Sequence, residues 1–292
     1  MKADLSVLIV NYNSREYLSN CIDSIFLSKT DLRLEVIVVD NNSNDNSIKL
    51  IESIDNRILI IKNDNNLGFS KAVNLGLQKC NAKYVCILNP DTIIAPDCIS
   101  GVLKYMDQKE DVDCVSPKIV NPNGTLQISC KRSLPKIRDS FFKLIGFDKF
   151  FPSNKFFSRY NLLYLDENKT HQVEVISGAC MFLRKKTIDL VGYFDESFFL
   201  YGEDIDYCHR MNKLKMKVVY FPNYEVTHFK GVSAESRPYQ VIFEFHDSMI
   251  KYFSKYQDEY FIWKYVKVFI VSIIIIKKYL SYFIHLLKNK IK

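Results

Sequence analysis

The chain has 292 residues, 48% of them hydrophobic and 25% charged, and a net charge of +7. This composition excludes an intrinsically disordered protein, a collagen-like repeat and a low-complexity scaffold. The eight cysteines form no C-x-x-C pair, so neither a zinc site nor a disulfide framework is expected. Seven lysines and no acid follow Glu259, and the rest of the chain is near neutral. This distribution argues against nucleic-acid binding by the main domain.

Over the first 120 residues, short apolar runs rich in β-branched side chains alternate with helical periods. The predicted strands cover residues 5–10, 35–39, 57–61, 84–88 and 113–115, and the predicted helices cover residues 14–27, 44–54, 70–79 and 97–106. This alternation predicts an α/β fold with a mostly parallel central sheet and helices on both faces. Ligands bind such sheets at the carboxyl ends of the strands, so polar residues there are the first candidates for a site.

Residues 120–170 are rich in Phe, Lys, Ser and Asn, and no period persists for long. This stretch is typical of an insertion or flexible excursion over one side of a cleft. Beyond it, the sequence predicts a strand over residues 173–183, a helix from Gly202 through Met211 and a strand over residues 217–221. A further helix is predicted to begin near Pro238 and to continue toward Tyr256.

The tail over residues 260–292 is apolar and basic. Its longest uncharged run, residues 268–276, has nine residues, whereas a membrane span needs about 20. Lysines 277 and 278 interrupt it, which favours a helix lying on an anionic membrane surface over a span. A core or dimer helix with lysines facing water is the alternative. The N-terminus has no signal-peptide pattern, so we expect a cytoplasmic protein, peripheral on the inner face of the cell membrane.

Polar motifs follow the first two predicted strands. The first strand ends in Val10-Asn11-Tyr12-Asn13 and the second in Val39-Asp40-Asn41-Asn42-Ser43. An acid after the second strand suits a ribose hydroxyl or a base edge, although Asp40 and Ser43 also fit a simple helix cap. The chain has neither G-x-G-x-x-G after the first strand nor G-x-x-x-x-G-K-[ST], which argues against a dinucleotide-binding enzyme and a P-loop nucleotidase.

Two further motifs follow the third and fourth strands. In Asn66-Leu67-Gly68-Phe69, the glycine can adopt the positive φ of a tight turn. In Asn89-Pro90-Asp91, a carboxylate at the mouth of the sheet suits Mg²⁺ or Mn²⁺ bridging a diphosphate. A plain turn residue is the alternative interpretation of Asp91.

These four motifs are followed by Gly192-Tyr193-Phe194-Asp195-Glu196 and Gly202-Glu203-Asp204-Ile205-Asp206. In this order they resemble family 2 glycosyltransferases of the GT-A (Rossmann-like) fold, and within that family the bacterial rhamnosyltransferase-like enzymes. The resemblance covers about residues 4–235 and leaves the 120–170 insertion and the tail outside the shared pattern. It implies a GT-A domain over residues 1–235. The apolar, basic composition of the tail separately predicts a C-terminal helical region over residues 236–292, associated with the membrane surface.

The resemblance implies inverting, metal-dependent transfer of a sugar from a nucleotide sugar, linked to dTDP or UDP, to a hydroxyl group. The expected donor is dTDP-rhamnose and the expected acceptor a lipid-linked oligosaccharide or polysaccharide. One alternative is a polyprenyl-phosphate glycosyltransferase. Another is a non-catalytic scaffold that binds nucleotide sugars.

The resemblance also assigns roles to single residues. Nucleotide binding falls to Asn11, Asn13, Asp40 and Asn66, and Mg²⁺ or Mn²⁺ binding to Asp91 and His228, with Asn89 where the family's D-x-D motif has its first acid. Asp204, beside Glu203, corresponds to the catalytic base, although an acidic pair is also ordinary at a helix start. Gly178, Asp195 and Asp206 are expected on the acceptor side, and Lys230 is a candidate phosphate contact.

Overall fold

The structure is a computed structural model that describes residues 3–52, 58–144, 146–229, 238–260 and 263–291. Its strands are β1 (Leu5–Asn11), β2 (Leu34–Asp40), β3 (Ile58–Lys62), β4 (Tyr84–Leu88), β5 (Thr92–Ile94), β6 (Cys114–Val120), β7 (Lys131–Arg132), β8 (His171–Gln172), β9 (Val175–Ile176), β10 (Cys180–Arg184) and β11 (Val218–His228). Its helices are α1 (Arg15–Phe26), α2 (Ser47–Glu52), α3 (Phe69–Leu77), α4 (Cys98–Gln108), α5 (Ile137–Leu144), α6 (Phe147–Phe150), α7 (Lys185–Val191), α8 (Glu203–Lys213), α9 (Pro238–Lys255) and α10 (Trp263–Ile291).

The main sheet has the strand order β3-β2-β1-β4-β10-β6-β11-β5, and β8 pairs with β11. β10 runs antiparallel to both β4 and β6, and β5 and β8 run antiparallel to β11. The other strands share one direction, so the predicted α/β fold with a mostly parallel sheet is confirmed. Every residue of β1 and β4 is buried, as expected for strands covered by helices on both faces.

The structure divides the predicted strand over residues 173–183 into two. β9 pairs with β7 in a small second sheet, whereas β10 joins the main sheet. Residues 177–179 connect them and turn toward the start of α8, where the Gly178 N–H donates to Asp204 at 3.2 Å. The single-strand prediction was wrong because alternating burial does not reveal a change of sheet. Arg57, predicted at the start of the third strand, lies outside the described residues, as does Lys230.

Residues 120–170 are more ordered than their composition indicates. They contain β7, α5 and α6, and their phenylalanines pack on one another; the Phe142 and Phe157 rings, for example, meet edge-on at 5.0 Å. Lys131 and Arg132 are buried within this stretch. The absence of a period reflects short elements packed around an aromatic cluster.

Strand β11 extends well beyond the predicted residues 217–221 and contains an irregularity. Phe221 faces Pro117 of β6, but the next β6 residue, Lys118, faces Glu225, so residues 222–224 have no partner on β6. Beyond this bulge the strand also pairs with β5, and His228 lies opposite Thr92. The bulge thus brings the end of β11 beside the turn that contains Asp91.

Helix α9 packs on α8 through an apolar cluster that contains Phe198, Tyr252, Phe253 and Tyr256. Helix α10 runs beside α9, and its residues Lys267–Leu286 are long and apolar enough to cross a membrane by length and composition, with 6% of that window buried. Exposed apolar side chains include Val268, which is 80% exposed. The predicted apolar and basic helical tail is confirmed.

Candidate active site

A cavity of about 570 Å³ opens at the carboxyl ends of the central strands. Turns after the strands, the start of α8 and the inner faces of α9 and α10 form its walls. Of the residues predicted to form the site, those that line it are Asn66, Asp91, Gly178, Glu203, Asp204 and His228. Predicted site residues that are up to 162 positions apart in the sequence (Asn66 and His228) thus line the same cavity.

The predicted nucleotide residues Asn11, Asn13 and Asp40 come together behind the cavity wall. The Asn11 amide donates to Asp40 Oδ1 at 2.8 Å, and the Ser43 N–H donates to Asp40 Oδ2 at 3.0 Å. The Asn13 N–H donates to Ser43 Oγ at 3.0 Å. These bonds fix the two loops after β1 and β2, and the residues that line the cavity there are Tyr12 and Asn41. The prediction of direct pocket contacts for Asn11, Asn13 and Asp40 does not match this arrangement.

Asn66 and Gly68 form the next wall. Asn66 Oδ1 accepts the Gly68 N–H at 3.0 Å, and the Asn41 amide donates to the Gly68 carbonyl at 3.1 Å. Gly68 has a φ of +82°, and a Cβ there would lie 2.7 Å from the Phe199 carbonyl oxygen. Only glycine combines this backbone conformation with so close an approach to Phe199, so this turn requires a glycine at position 68.

Asp91 and His228 face each other, both nearly buried. Asp91 Oδ1 lies 3.2 Å from His228 Nε2. The Gln127 amide donates from Nε2 to the His228 carbonyl at 2.8 Å, which turns Gln127 Oε1 toward His228 Nδ1 at 2.9 Å. In a neutral imidazole Nδ1 then holds the proton, so the lone pair of Nε2 faces a carboxylate oxygen.

Two facing lone pairs repel unless a proton or a cation lies between them, so this pair fits a divalent ion. A carboxylate oxygen and an imidazole nitrogen are both ligands that Mn²⁺ accepts, and Mg²⁺ prefers the oxygen. Among the residues that the structure describes, no group of three or more His, Cys, Asp or Glu side chains could hold a metal. The remaining ligands would therefore come from diphosphate oxygens and water.

Glu203 and Asp204 begin α8, after Gly202 in the left-handed conformation. Asp204 Oδ2 lies 2.5 Å from Arg132 Nη2 and accepts the Gly178 N–H, and Asp204 Oδ1 accepts the Ile205 N–H at 2.8 Å. A buried guanidinium and two backbone N–H groups thus fix the orientation of the Asp204 carboxyl group.

Glu203 has a different environment. Burial, and then the neighbouring charge of Asp204, raise the pKa of Glu203 to about 8. Its Oε2 atom is buried and has no hydrogen-bond partner among the described residues, although the residue lines the cavity. Glu203 therefore holds its proton more tightly than an ordinary glutamate does, next to the Asp204 carboxyl group.

Asp195 and Asp206 do not line the cavity. Lys255 of α9 lies 2.6 Å from Asp195 Oδ2 and 2.5 Å from Asp206 Oδ1, and the Tyr256 hydroxyl donates to Asp206 at 2.7 Å. Burial opposes ionisation of Asp195, but hydrogen bonds from Lys255 and Ser197 outweigh it and lower the pKa of Asp195 to about 2. Both acids attach α9 to the main domain, which favours a structural role, and their assignment to the acceptor side stays a prediction.

The sequence analysis missed Gln127 and Arg132. Both lie in the stretch interpreted as an insertion, and no local pattern marks either of them. Arg132 follows Lys131 and resembles an ordinary basic surface pair, yet it is buried against Asp204.

The sequence model described as Glycosyl transferase family 2 matches residues 6–191, a range that includes the predicted insertion. The chain is 28% identical to the N-acetylglucosaminyl-diphospho-decaprenol L-rhamnosyltransferase of Mycobacterium tuberculosis, over 84% of this chain and 82% of the relative. It is also 28% identical to the low-salt glycan biosynthesis hexosyltransferase Agl10 of Haloferax volcanii, over 86% of this chain and 76% of the relative.

Solved structures share the fold at lower identity. S. aureus TarS 1–349 in complex with UDP-GlcNAc has a TM-score of 0.56 and 19% identity, over 86% of this chain and 65% of that one. The mannosyltransferase PcManGT from Pyrobaculum calidifontis, in complex with GDP-Man and Mn²⁺, has a TM-score of 0.56 and 16% identity, over 87% and 64%. The chain spans just under two thirds of these structures, which have the GT-A fold. On the extent of its sequence match, the chain belongs to glycosyl transferase family 2.

Proposed function

We propose that this glycosyltransferase is an inverting enzyme that moves a sugar from a nucleotide sugar to a hydroxyl of a lipid-linked glycan acceptor. The observation on which this rests is the meeting of two pairs in one cavity. Asp91 and His228 form a pair whose donor atoms suit a divalent cation, and Glu203 and Asp204 form a pair of neighbouring acids, of which Glu203 has a raised pKa. A non-catalytic scaffold has no need for the second pair.

In the proposed reaction Asp204 is the general base. Its carboxyl group pairs with the guanidinium of Arg132, which favours the basic form, whereas the raised pKa of Glu203 favours its acid form. As the acceptor oxygen bonds to the anomeric carbon, its proton passes to an Asp204 oxygen. The bond from that carbon to the diphosphate oxygen breaks on the opposite face, and the electron pair leaves with the nucleoside diphosphate. Glu203 is placed to donate a hydrogen bond to a substrate oxygen.

Asp91 and His228 would hold the metal ion, with Gln127 fixing the imidazole. A bound divalent cation would offset the negative charge of the leaving diphosphate. We propose Mg²⁺ or Mn²⁺ for this role, supported by the donor set and by the Mn²⁺ in the PcManGT complex.

The mycobacterial relative supports the identity of the substrates. Its name specifies a rhamnosyl group and an acceptor in which a sugar is joined through diphosphate to decaprenol. We propose dTDP-rhamnose as the donor and a polyprenyl-diphosphate-linked sugar as the acceptor. Residues 1–235 would form the catalytic domain, and residues 236–292 the region that reaches the inner membrane surface. The exposed apolar side chains of α10 and its lysines support that location.

The test of the function is release of nucleoside diphosphate by the purified full chain from a panel of nucleotide sugars that includes dTDP-rhamnose. Each donor is assayed with Mg²⁺, Mn²⁺ or a chelator. We expect slow metal-dependent hydrolysis of one donor and its loss in Asp204→Asn, which should still bind that donor. Asp91→Asn should instead weaken metal-dependent donor binding itself. Hydrolysis that survives in Asp204→Asn would contradict the proposed base.

The test of the location is flotation with vesicles. The full chain should float with vesicles that contain phosphatidylglycerol and much less with phosphatidylcholine alone, because its lysines attract anionic headgroups. Equal flotation with both would contradict the electrostatic part of the proposal.

A further inference from the structure

The phenylalanines around α5 and α6 form a group of their own. Phe142 and Phe157, both half-buried, lie at its centre, with their rings 5.0 Å apart. Four more rings have centres 5.3 to 6.0 Å from one of these two: Phe141, Phe147, Phe151 and Phe156. None of these six phenylalanines belongs to the two apolar clusters that the described residues form in the interior. The group is thus separate from both cores.

The outer rings of this group are open to solvent. Phe150, at the end of α6, is 77% exposed, and the other exposed rings are Phe141, Phe147, Phe151 and Phe156. We call these five residues the phenylalanine patch. Moving a phenylalanine side chain out of water is favourable, so five exposed rings in one place are costly in solution. A contiguous apolar surface of this kind indicates contact with another molecule or with a membrane.

The exposed charges next to the phenylalanine patch are positive. Residues 136–159 contain six basic residues and two acids. Both acids, Asp139 and Asp148, are buried, and the first of them pairs with two arginines. Lys149 and Lys155 are exposed, and each directly precedes a phenylalanine of the patch. The outer surface of this stretch therefore combines aromatic rings with cations, while its carboxylates lie inside.

Helix α10 has a second exposed apolar surface. Its side chains Val268, Ile275, Tyr279 and Phe283 are exposed at spacings of four or seven residues, which places them on one face of the helix. Another part of α10 packs against α9. Ser140 of α5 and Ile274 of α10 line the same cavity, and the first residue of α5 packs against the same apolar cluster as α10 does. The two exposed apolar surfaces therefore belong to neighbouring helices of the cavity wall.

A lipid bilayer suits these surfaces better than a second copy of the chain does. In a symmetric dimer the same surface meets itself, so the exposed lysines beside the patch would face one another, with both acids of that stretch buried. An anionic bilayer attracts these lysines and at the same time takes up the rings and the aliphatic side chains of α10. Lysine stems can lie along the apolar layer while their charges stay at the headgroups.

We propose that the phenylalanine patch inserts into the interface of the membrane next to α10, as a second contact of the chain with the bilayer. The inference extends the proposed membrane location and rests on it, because a single bilayer has to meet both surfaces. The cavity wall that α5 and α10 form would then lie at the membrane surface. A lipid-linked acceptor can enter the cavity there while its hydrocarbon chain stays in the bilayer.

The first test locates the patch relative to the bilayer. Ser153→Cys, at an exposed position between Phe151 and Phe156, is labelled with an environment-sensitive fluorophore in the full chain, whose eight native cysteines are all buried. Gln78→Cys is the control, because this exposed residue ends α3 just before β4, at the amino ends of the parallel strands and away from the cavity mouth.

The vesicles contain phosphatidylcholine and phosphatidylglycerol. On binding them, the label at position 153 should shift its emission to shorter wavelength and be quenched by lipids that carry a nitroxide on the acyl chain. The label at position 78 should show neither change, since the amino ends of the strands stay in water.

The second test measures partitioning of the unlabelled full chain onto the same vesicles by cosedimentation. Phe150→Ser combined with Phe151→Ser should weaken partitioning about 10- to 100-fold, because two rings no longer leave water on binding. Leu27→Ser combined with Leu190→Ser is the matched control, since it removes two side chains that are also exposed but lie outside the patch and α10. The control should partition as the unchanged chain does, and far-UV circular dichroism verifies the folding of every variant.

Equal responses of the two labels on vesicle-bound protein would overturn the inference. Equal partitioning of the phenylalanine variant and the unchanged chain would overturn it too, as would a full chain that does not bind vesicles. Donor hydrolysis without vesicles tests the proposed function separately. A quenched label at position 153 with every donor silent refutes the proposed transfer alone, whereas donor hydrolysis with a label that stays in water refutes the membrane contact of the patch alone.

Discussion

Arg132 offers a direct test of how the acids are organised, through Arg132→Met. The 2.5 Å contact between Arg132 Nη2 and Asp204 Oδ2 places the two charge centres roughly 4 Å apart. At an effective dielectric constant of about 20, such a pair interacts by about 4 kcal/mol. This energy corresponds to about three pH units, the upper end of the 1 to 3 units that a close opposite charge typically produces.

We therefore expect the acid limb of the pH profile of kcat/KM to move up by about 1 to 3 pH units in Arg132→Met. The assay is donor turnover from pH 5 to 9, with donor affinity measured in parallel. Loss of one partner of a buried ion pair also costs about 3 to 5 kcal/mol of folding stability. Arg184→Met is the matched control, because Arg184 is equally buried but donates to backbone carbonyls such as that of Val112, far from the cavity.

Arg184→Met should lose stability without moving the acid limb, and Arg132→Lys should recover part of the limb position. In the Asp204→Asn background, the arginine change should have little further effect on turnover, because its partner is already absent. An acid limb that does not move in a folded, donor-binding Arg132→Met protein would refute the reasoning. Arg132 would then have only a packing role.

Three further changes test other parts of the site. Gln127→Leu removes the amide that fixes the His228 imidazole. The Mn²⁺ concentration that gives half-maximal turnover should therefore rise about 10- to 100-fold. An unchanged Mn²⁺ requirement would contradict the metal role of His228. Glu203→Gln removes an acid whose pKa is about 8 in the folded protein and 4.5 in the unfolded chain. Because the unfolded chain loses this proton first, the glutamate lowers the free energy of unfolding progressively from about pH 4.5 to 8. The variant should match the unchanged chain in denaturant unfolding at pH 4 and exceed it by up to a few kcal/mol at pH 9; equal stability at both would show that Glu203 is not desolvated. Gly68→Ala should lower Tm more than Gly124→Ala. Both glycines have a positive φ, but of these two only the Cβ added at Gly68 would lie within 4 Å of another residue. Equal decreases in Tm would show that the backbone conformation alone causes the loss of stability.

The sequence predicted the sheet and the residues directly after its strands well, because buried parallel strands leave continuous apolar runs and their ends collect polar turns. Asp91, Glu203, Asp204 and His228, which the sequence predicts as site residues, line one cavity. The GT-A fold and the family are confirmed by the comparisons. The roles of these residues stay predictions.

What the sequence could not provide is pairing between distant side chains. Asp195 and Asp206 looked like site acids, and only the docking of α9 shows that Lys255 contacts both, while Arg210 also pairs with Asp206. Arg132 looked like surface charge, and only the break between β9 and β10 brings it to Asp204. Tertiary contacts of this kind leave no trace in local composition or spacing.

The bulge in β11 has a consequence for comparing this chain with distant relatives. Side chains alternate between the two faces of a strand, so deleting one residue from 222–224 would turn His228 away from Asp91 without removing any residue that lines the cavity. The contact between Asp91 and His228 thus depends partly on the length of a segment that lies outside the cavity. In an alignment, the number of residues between Phe221 and His228 is therefore a sharper marker of this pair than the presence of a histidine.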